Sequence, residues 1–218
     1  MARAQKRGVC FRRIQRKLIS SDPQRPSILA RIRWRYRHLP AHGVLLFFDV
    51  KPVVVKAYGG SRYTSAKRVV LEKRQKTRGR FYVFLMYDVH TGKVHWAFYP
   101  GKDSRYVCRF LRRIRRWYAQ QTVWIVLDQD PAHPCKSQQT RRTIRALTVH
   151  WISLPKGSPD DNPVETIFSD IQQSILDTSN DADAMLTKKR ISAHLRGRCR
   201  RKNRHIHISY LPGSHKIR

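Results

Sequence analysis

The sequence predicts an α/β protein, a mixed sheet flanked by helices with basic extensions at both ends. Three observations carry this. VLLFFDV at 44–50 and TVWIVLDQD at 122–130 are apolar on both faces and end in carboxylates, as strands covered from both sides do. RFYVFLMYDV at 80–89 and KVHWAFYP at 93–100 flank HTG at 90–92, a hairpin signal with Gly at the turn. Beyond residue 104, helical and strand patterns alternate, which indicates a mixed sheet covered by helices.

The elements follow in order. Residues 1–19 read as basic helix or arm, and the Pro-containing break SSDPQRPS at 20–27 precedes a helical piece over 28–39. PAHG closes that helix before the first strand, and PVVVKAY at 52–58 is a further β-rich run beside the turn Gly59-Gly60. In 104–120, Val107, Phe110, Leu111, Ile114 and Trp117 recur at helical spacing, with arginines on the other face. A helix is expected at 137–147 and a strand at 149–155. The last helix, 162–176, has Asn162 as cap and Pro163 at its first position.

The chain has 218 residues, with 46 Lys+Arg against 14 Asp+Glu, a net charge of +32. At 40% hydrophobic and 10% aromatic it is too apolar for a disordered polycation. The apolar runs at 44–48 and 123–127 are five residues each, short of the roughly 20 of a membrane span, and no secretory h-region opens the chain. Cys10, Cys108, Cys135 and Cys199 show no metal-site spacing, so buried thiols in a reducing cytoplasm are expected. A surplus of this size repels itself unless a polyanion neutralises it, and nucleic acid is the expected partner. The charge is concentrated in residues 1–40, 51–82 and 184–218. Candidate phosphate contacts are Arg12, Arg13, Arg16 and Lys17, then Arg62, Lys67 and Arg68, then Arg198, Arg200, Arg201 and Lys202. Tyr210 in the last segment and Trp34 amid arginines are candidates for contact with bases or backbone. His90 and His95 are expected at the surface, and Asp88 before the hairpin turn is expected to be structural.

Asp49 and Asp128 each end an apolar strand, where open α/β sheets place their ligands. Crowded carboxylates are costly unless paired or metal-bound, although a turn-capping Asp is an equal reading for either alone. Glu165 stands at the third helical position after Asn162, where a capping box would place it and where it would also face the sheet edge. Three oxygen ligands on two strand ends and one helix start suit Mg²⁺ or Mn²⁺. Two such ions support phosphodiester chemistry.

These residues carry a resemblance. LPKGSPDDNPVETIF at 154–168 is similar to the Leu-Pro-x-x-Ser-Pro-x-x-Asn-Pro-x-Glu signature of the DDE transposases of the mariner-like superfamily, particularly those of bacterial insertion sequences. VLDQDPAHPCKS at 126–137 resembles the family's Asp-Asn-x-x-x-His block, and LLFFDV at 45–50 fits by order and spacing. The 36 residues between Asp128 and Glu165 suit that family. The chain departs from it at Val50, where Glu is frequent, at Gln129, where Asn is usual, and at Asp161, which is more often apolar.

The resemblance implies a ribonuclease-H-like fold over 41–180, with 1–40 a basic helical arm or linker, expected as the remnant of a DNA-recognition region, and 181–218 a basic tail. It implies metal-dependent cleavage and strand transfer at transposon ends by Asp49, Asp128 and Glu165 with two Mg²⁺ or Mn²⁺ ions. His133, Asn162 and Pro163 are the implied supporting residues, and Asp130 is a rival ligand. The implied partners are double-stranded DNA (transposon ends and target), a homodimeric synapse and a separate DNA-recognition chain, in a bacterial cytoplasm at the nucleoid and away from any membrane. The alternative expectation is an inactive transposase remnant or a non-enzymatic nucleic-acid-binding protein.

Overall fold

The computed structural model describes residues 20–56, 77–177, 179–201 and 204–213. Cys10, Arg12, Arg13, Arg16, Lys17, the Gly59-Gly60 turn, Arg62, Lys67, Arg68 and Lys202 lie outside them. Helix α1 (Arg25–Arg37) leads into strand β1 (Gly43–Val54), then the hairpin β2 (Arg80–Asp88) and β3 (Val94–Tyr99). Helix α2 (Ser104–Trp117), β4 (Thr122–Leu127), α3 (Gln138–Ala146) and β5 (His150–Ser153) follow. A 3-10 turn (Pro159–Asp161) precedes α4 (Pro163–Ile171), which widens into a π turn (Gln172–Leu176), and α5 (Ala184–Arg200) completes the chain's helices among the described residues.

The sheet order is β3-β2-β1-β4-β5. β1–β2 and β2–β3 are antiparallel, whereas β1–β4 and β4–β5 are parallel. The mixed sheet is therefore as expected. Alternation along β1 divides the core: Leu45 and Phe47 face α1, α4 and α5, while Val44, Leu46 and Phe48 face α2 and α3. Each layer is continuous, with Ile32, Ile167, Ile191 and Leu195 buried on the first side and Phe110, Ile114 and Ile144 on the second.

Local signals set the element ends. Asp103 caps α2 by accepting from the Arg105 and Tyr106 N–H groups, and Ser137 caps α3 through Thr140 N–H. α1 starts at Arg25, inside the expected break, because Pro26 is compatible with a first helical turn. β1 also runs on through Pro52, which the sequence pattern separates into a second run. Its pairing with β4 stops at Phe48, so Pro52 lies where the strand pairs with β2 alone and a missing N–H is tolerated.

The C-terminal segment differs most from expectation. Instead of a tail, α5 buries Thr187, Ile191 and Leu195 against the sheet, and Ile206, Ile208, Tyr210 and Leu211 close the same core. Tyr210 is buried and donates its hydroxyl to the Asp161 carbonyl at 2.6 Å, so it stacks on nothing external. Arg198, expected on a phosphate-facing surface, turns inward to Asp170 at 3.7 Å and to the Arg204 carbonyl, because α5 packs that side of itself on the fold. Arg200 and Arg201 stay exposed.

Asp88 is structural, as the sequence indicates. It is buried at the hairpin turn, where Oδ1 accepts from the His90 and Thr91 N–H groups and Oδ2 from the Tyr118 hydroxyl at 3.0 Å. Gly92 completes that turn at φ +66°, and a Cβ there would meet Arg204 Cγ at 2.7 Å. His95 is not at the surface: it stacks on Trp117, bonds Tyr118 Oη at 2.8 Å, and burial pulls its pKa down to about 4. Trp34 is exposed, stacked on His38 with Arg35 over its ring.

Asp88→Ala removes three hydrogen bonds at one buried carboxylate and leaves the Tyr118 hydroxyl with His95 alone. The expected cost is about 2–3 kcal/mol, read as a lower urea midpoint with unchanged denaturant slope.

Candidate active site

The parallel pair β1–β4 ends at Phe48 opposite Leu127. Asp49 and Asp128 follow that last pair, so they stand side by side where the parallel pairing ends, Asp49 still paired with Leu85 of β2 and Asp128 just past β4. They open on a cleft of about 420 Å³ lined also by Val50, Gln129, Asp130, Lys136, Asn162 and Glu165, with Leu154 to Pro159 forming one wall. Glu165 reaches it from the first turn of α4. The three sequence-predicted carboxylates thus share one cleft.

The cap of α4 explains how Glu165 is available. Asn162 Oδ1 accepts from Val164 N–H at 3.2 Å, and its own N–H goes to the Pro159 carbonyl of the 3-10 turn. The capping-box acceptor is therefore not needed, and Glu165 meets Lys51 Nζ at 3.3 Å instead. Asn162 Nδ2 also reaches the Phe48 carbonyl at 3.4 Å, tying the helix start to the strand that carries Asp49. Pro163 is buried at the first helical position.

His133 sits almost fully buried behind the second carboxylate, with Nδ1 2.5 Å from Asp128 Oδ1 and its ring against Phe48. Asp130, the rival ligand, is engaged elsewhere: Oδ2 accepts from Lys102 Nζ at 2.7 Å and Oδ1 from Ala132 N–H. Burial opposes its ionisation, but Lys102 and the Ala132 N–H outweigh burial and hold its pKa below the ordinary value.

Asp49 behaves oppositely. Burial, then the charges of Asp128 and Glu165, push its carboxyl well above the usual aspartate range, against weaker help from Val50 N–H and Lys51. Three carboxylates that repel one another in a cleft form an all-oxygen donor set suited to Mg²⁺ or Mn²⁺. They are not drawn into a ready cage: among the described residues no three His, Cys, Asp or Glu side chains are grouped closely enough to hold an ion. Two of the three already have partners, Glu165 in Lys51 and Asp128 in His133.

Sequence reasoning did not find Lys51, Lys136 and Lys156 in this site, because isolated lysines carry no motif. It also gave no role to the clamp on the wall before Glu165. Arg25 pairs with both Asp161 oxygens at 2.8 and 2.7 Å, Asp22 Oδ2 accepts from Lys156 N–H, and Ser20 donates to the Lys156 carbonyl. Gly157 makes the bend in that wall at φ +63°. Asp161, where an apolar residue is more usual, is therefore the buried anchor of the loop.

The family model described as DDE superfamily endonuclease matches residues 44–186, more than half of the chain. Among solved structures, the chain is similar to the Mos1 mariner paired end complex with Mn, at TM-score 0.67 and 14% identity over 99% of this chain and 66% of that one. It is similar to the catalytic domain of Mos1 mariner transposase at TM-score 0.61 and 15% identity, covering 94% of this chain and 92% of that one. A Mos1 paired-end complex with the left transposon end gives TM-score 0.63 and 16% identity over 89% of this chain. This likeness shows the fold, ribonuclease-H-like. The chain spans about three-fifths of the Mos1 chain in that last complex. No curated protein sequence matches it.

The raised Asp49 pKa means that protonation favours the folded state, so its penalty is absent below the unfolded aspartate pKa and full above the folded one. In metal-free buffer at neutral pH, Asp49→Asn is therefore expected to raise the unfolding temperature. Mn²⁺ at about 100 times its Kd is expected to stabilise the wild type by about 2.7 kcal/mol and Asp49→Asn by none, measured by thermal unfolding.

Proposed function

The chain belongs to the DDE superfamily endonucleases, and from that membership we propose that it is the catalytic domain of a DNA transposase that cuts and joins DNA strands at transposon ends. The observation that carries this is the convergence of Asp49, Asp128 and Glu165 on one cleft in a protein of charge +32. Asp49 and Asp128 would hold Mg²⁺ or Mn²⁺ between them, with Glu165 completing the set for a second ion. When bound, such ions polarise a phosphodiester and favour the deprotonated form of its attacking hydroxyl.

The chain's own residues supply the rest. His133 fixes the orientation of the Asp128 carboxylate from behind. Asn162 and Pro163 set the first turn of α4 and thereby the position of Glu165. Lys51 must release Glu165 for that carboxylate to serve, and its ammonium then lies beside the phosphate path. Lys136 and Lys156 line the cleft and suit phosphate oxygens. In the cutting step a water oxygen attacks phosphorus and the bond to the 3′ oxygen breaks, leaving a 3′-hydroxyl and a 5′-phosphate. In the joining step that hydroxyl attacks target DNA and displaces a 3′ oxygen there.

The exposed Arg200 and Arg201, with Arg12, Arg13, Arg16, Lys17, Arg62, Lys67, Arg68 and Lys202, complete the proposed contacts to duplex DNA. Recognition of the transposon end falls, on this reading, to residues 1–40 or to a separate chain, and two copies form the synapse. No helix among the described residues is long and apolar enough to cross a membrane, and the proposed place of action is the bacterial nucleoid. A second reading, a remnant that binds nucleic acid without cutting it, is favoured by Lys51 on Glu165 and by the spread of the carboxylates.

Nicking of supercoiled plasmid in Mn²⁺ separates the two. Wild type is expected to nick, and Glu165→Gln and Asp128→Asn to lose at least about a hundredfold in rate, about 2.7 kcal/mol of transition-state stabilisation. A wild type that binds plasmid, ignores EDTA and never nicks it would establish the remnant.

A further inference from the structure

We propose that the outer surface of α2 and α3 is a second DNA-binding face, which holds the phosphate backbone of a duplex outside the cleft. It rests on the reading of this chain as an enzyme that cuts DNA. The two helices pack against each other on the same side of the sheet, opposite α1, α4 and α5. Neither contains an Asp or Glu. Arg105, Arg109, Arg112 and Arg116 recur at the spacing of one helix face and are all exposed, as are Arg113, Arg142 and Arg145.

Three arginines on the other side of the sheet have carboxylate partners. Arg25 pairs with Asp161, Arg190 with Asp181 and Arg198 with Asp170. On α2 and α3 the one carboxylate contact among the described residues is Arg105 with Asp103, at 3.5 Å and exposed on both sides. Like charges three and four residues apart destabilise a helix, and this row has a single exposed ion pair among the described residues to set against that cost. Two of its arginines, and Arg113 beside it, lie over aromatic rings. Arg105 lies over Tyr106, Arg109 over Tyr99 and Arg113 over Trp117, which restrains the guanidinium planes.

Position and length suit a duplex. Lys102, just before α2, bonds Asp130 at the cleft, and Ser104 Oγ touches Ser137 Oγ at the start of α3, so the row begins at the cleft rim and leads away from it. The 14 residues of α2 span about 21 Å at about 1.5 Å each, the length of about six base pairs at about 3.4 Å per step. Phosphate contacts of this kind position a duplex and carry no sequence preference.

The test measures binding of a labelled 20-base-pair duplex in EDTA, which prevents cutting, between 50 and 200 mM salt. Arg109→Gln/Arg112→Gln/Arg116→Gln keeps good helix formers on α2. Losing three phosphate contacts at about 0.9 each should flatten the plot of log K against log salt by about 2.7, with at least a tenfold weaker affinity. The single change Arg112→Gln should flatten it by about 0.9, which keeps the test decisive if the triple variant does not fold by circular dichroism. Lys189→Gln/Arg196→Gln, two exposed positions on α5 of the opposite side, should change the slope by less than about 0.5. An unchanged slope in the α2 variants, or an equal change in the opposite-side variant, overturns the proposal. Plasmid nicking reads out the enzyme separately: a wild type that never nicks but loses slope with α2 sinks the enzymatic reading and leaves the face standing.

Discussion

The parallel register of β1 against β4 is the constraint on which the rest of this molecule depends. Both strands are covered on two sides, so their residues are apolar up to the last pair, Phe48 with Leu127. The first positions past that pairing are Asp49 and Asp128. A slip of the register by one residue would turn each strand's core set to the other face and separate the carboxylates along the strand axis. Two packed cores thus hold the cleft geometry.

The third carboxylate depends on contacts distant in sequence. Glu165 is placed by a loop whose anchor, Asp161, is held by Arg25 from α1 and by Tyr210 from the last described segment. Asn162 joins the same loop to the Phe48 carbonyl. The N-terminal helix and the C-terminal segment therefore belong to the machinery that positions the site, and the core they bury is the same one that backs β1.

The electrostatics follow from placing acids inside a strongly basic chain. Asp49, buried and beside the charges of Asp128 and Glu165, resists ionisation, while Lys51 pairs with Glu165 and His133 with Asp128. Lys102 keeps Asp130 out of this competition. The cleft is an acidic island whose walls offer Lys136 and Lys156, and beyond its rim α2 and α3 present arginine with no acid of their own. This division, acid where charge must be gathered and base where phosphate must lie, is one electrostatic arrangement at two scales.

Much of this was legible in the sequence, for a local reason. Central strands announce themselves by continuous apolar runs, a hairpin by its Gly turn, and α4 by Asn162-Pro163, because each signal lies within a few residues of the structure it specifies. The mixed sheet and the three carboxylates at element ends follow from those signals and their order. What stayed hidden was decided by partners far along the chain. Pro52 could stay in β1 only because β4 stops pairing at Phe48, and the basic C-terminal segment became part of the core because Ile191, Leu195 and Tyr210 found the sheet and Asp161. Arg198 reads as one more cation in a basic run until α5 is docked and Asp170 is beside it. The sequence alone determined the central strands, the hairpin, the helices α1 to α4 and the three carboxylates that follow the apolar runs or open α4, since those are matters of local pattern. Only the tertiary structure decided which charges face one another, because Coulomb and hydrogen-bond partners are chosen by distance in space.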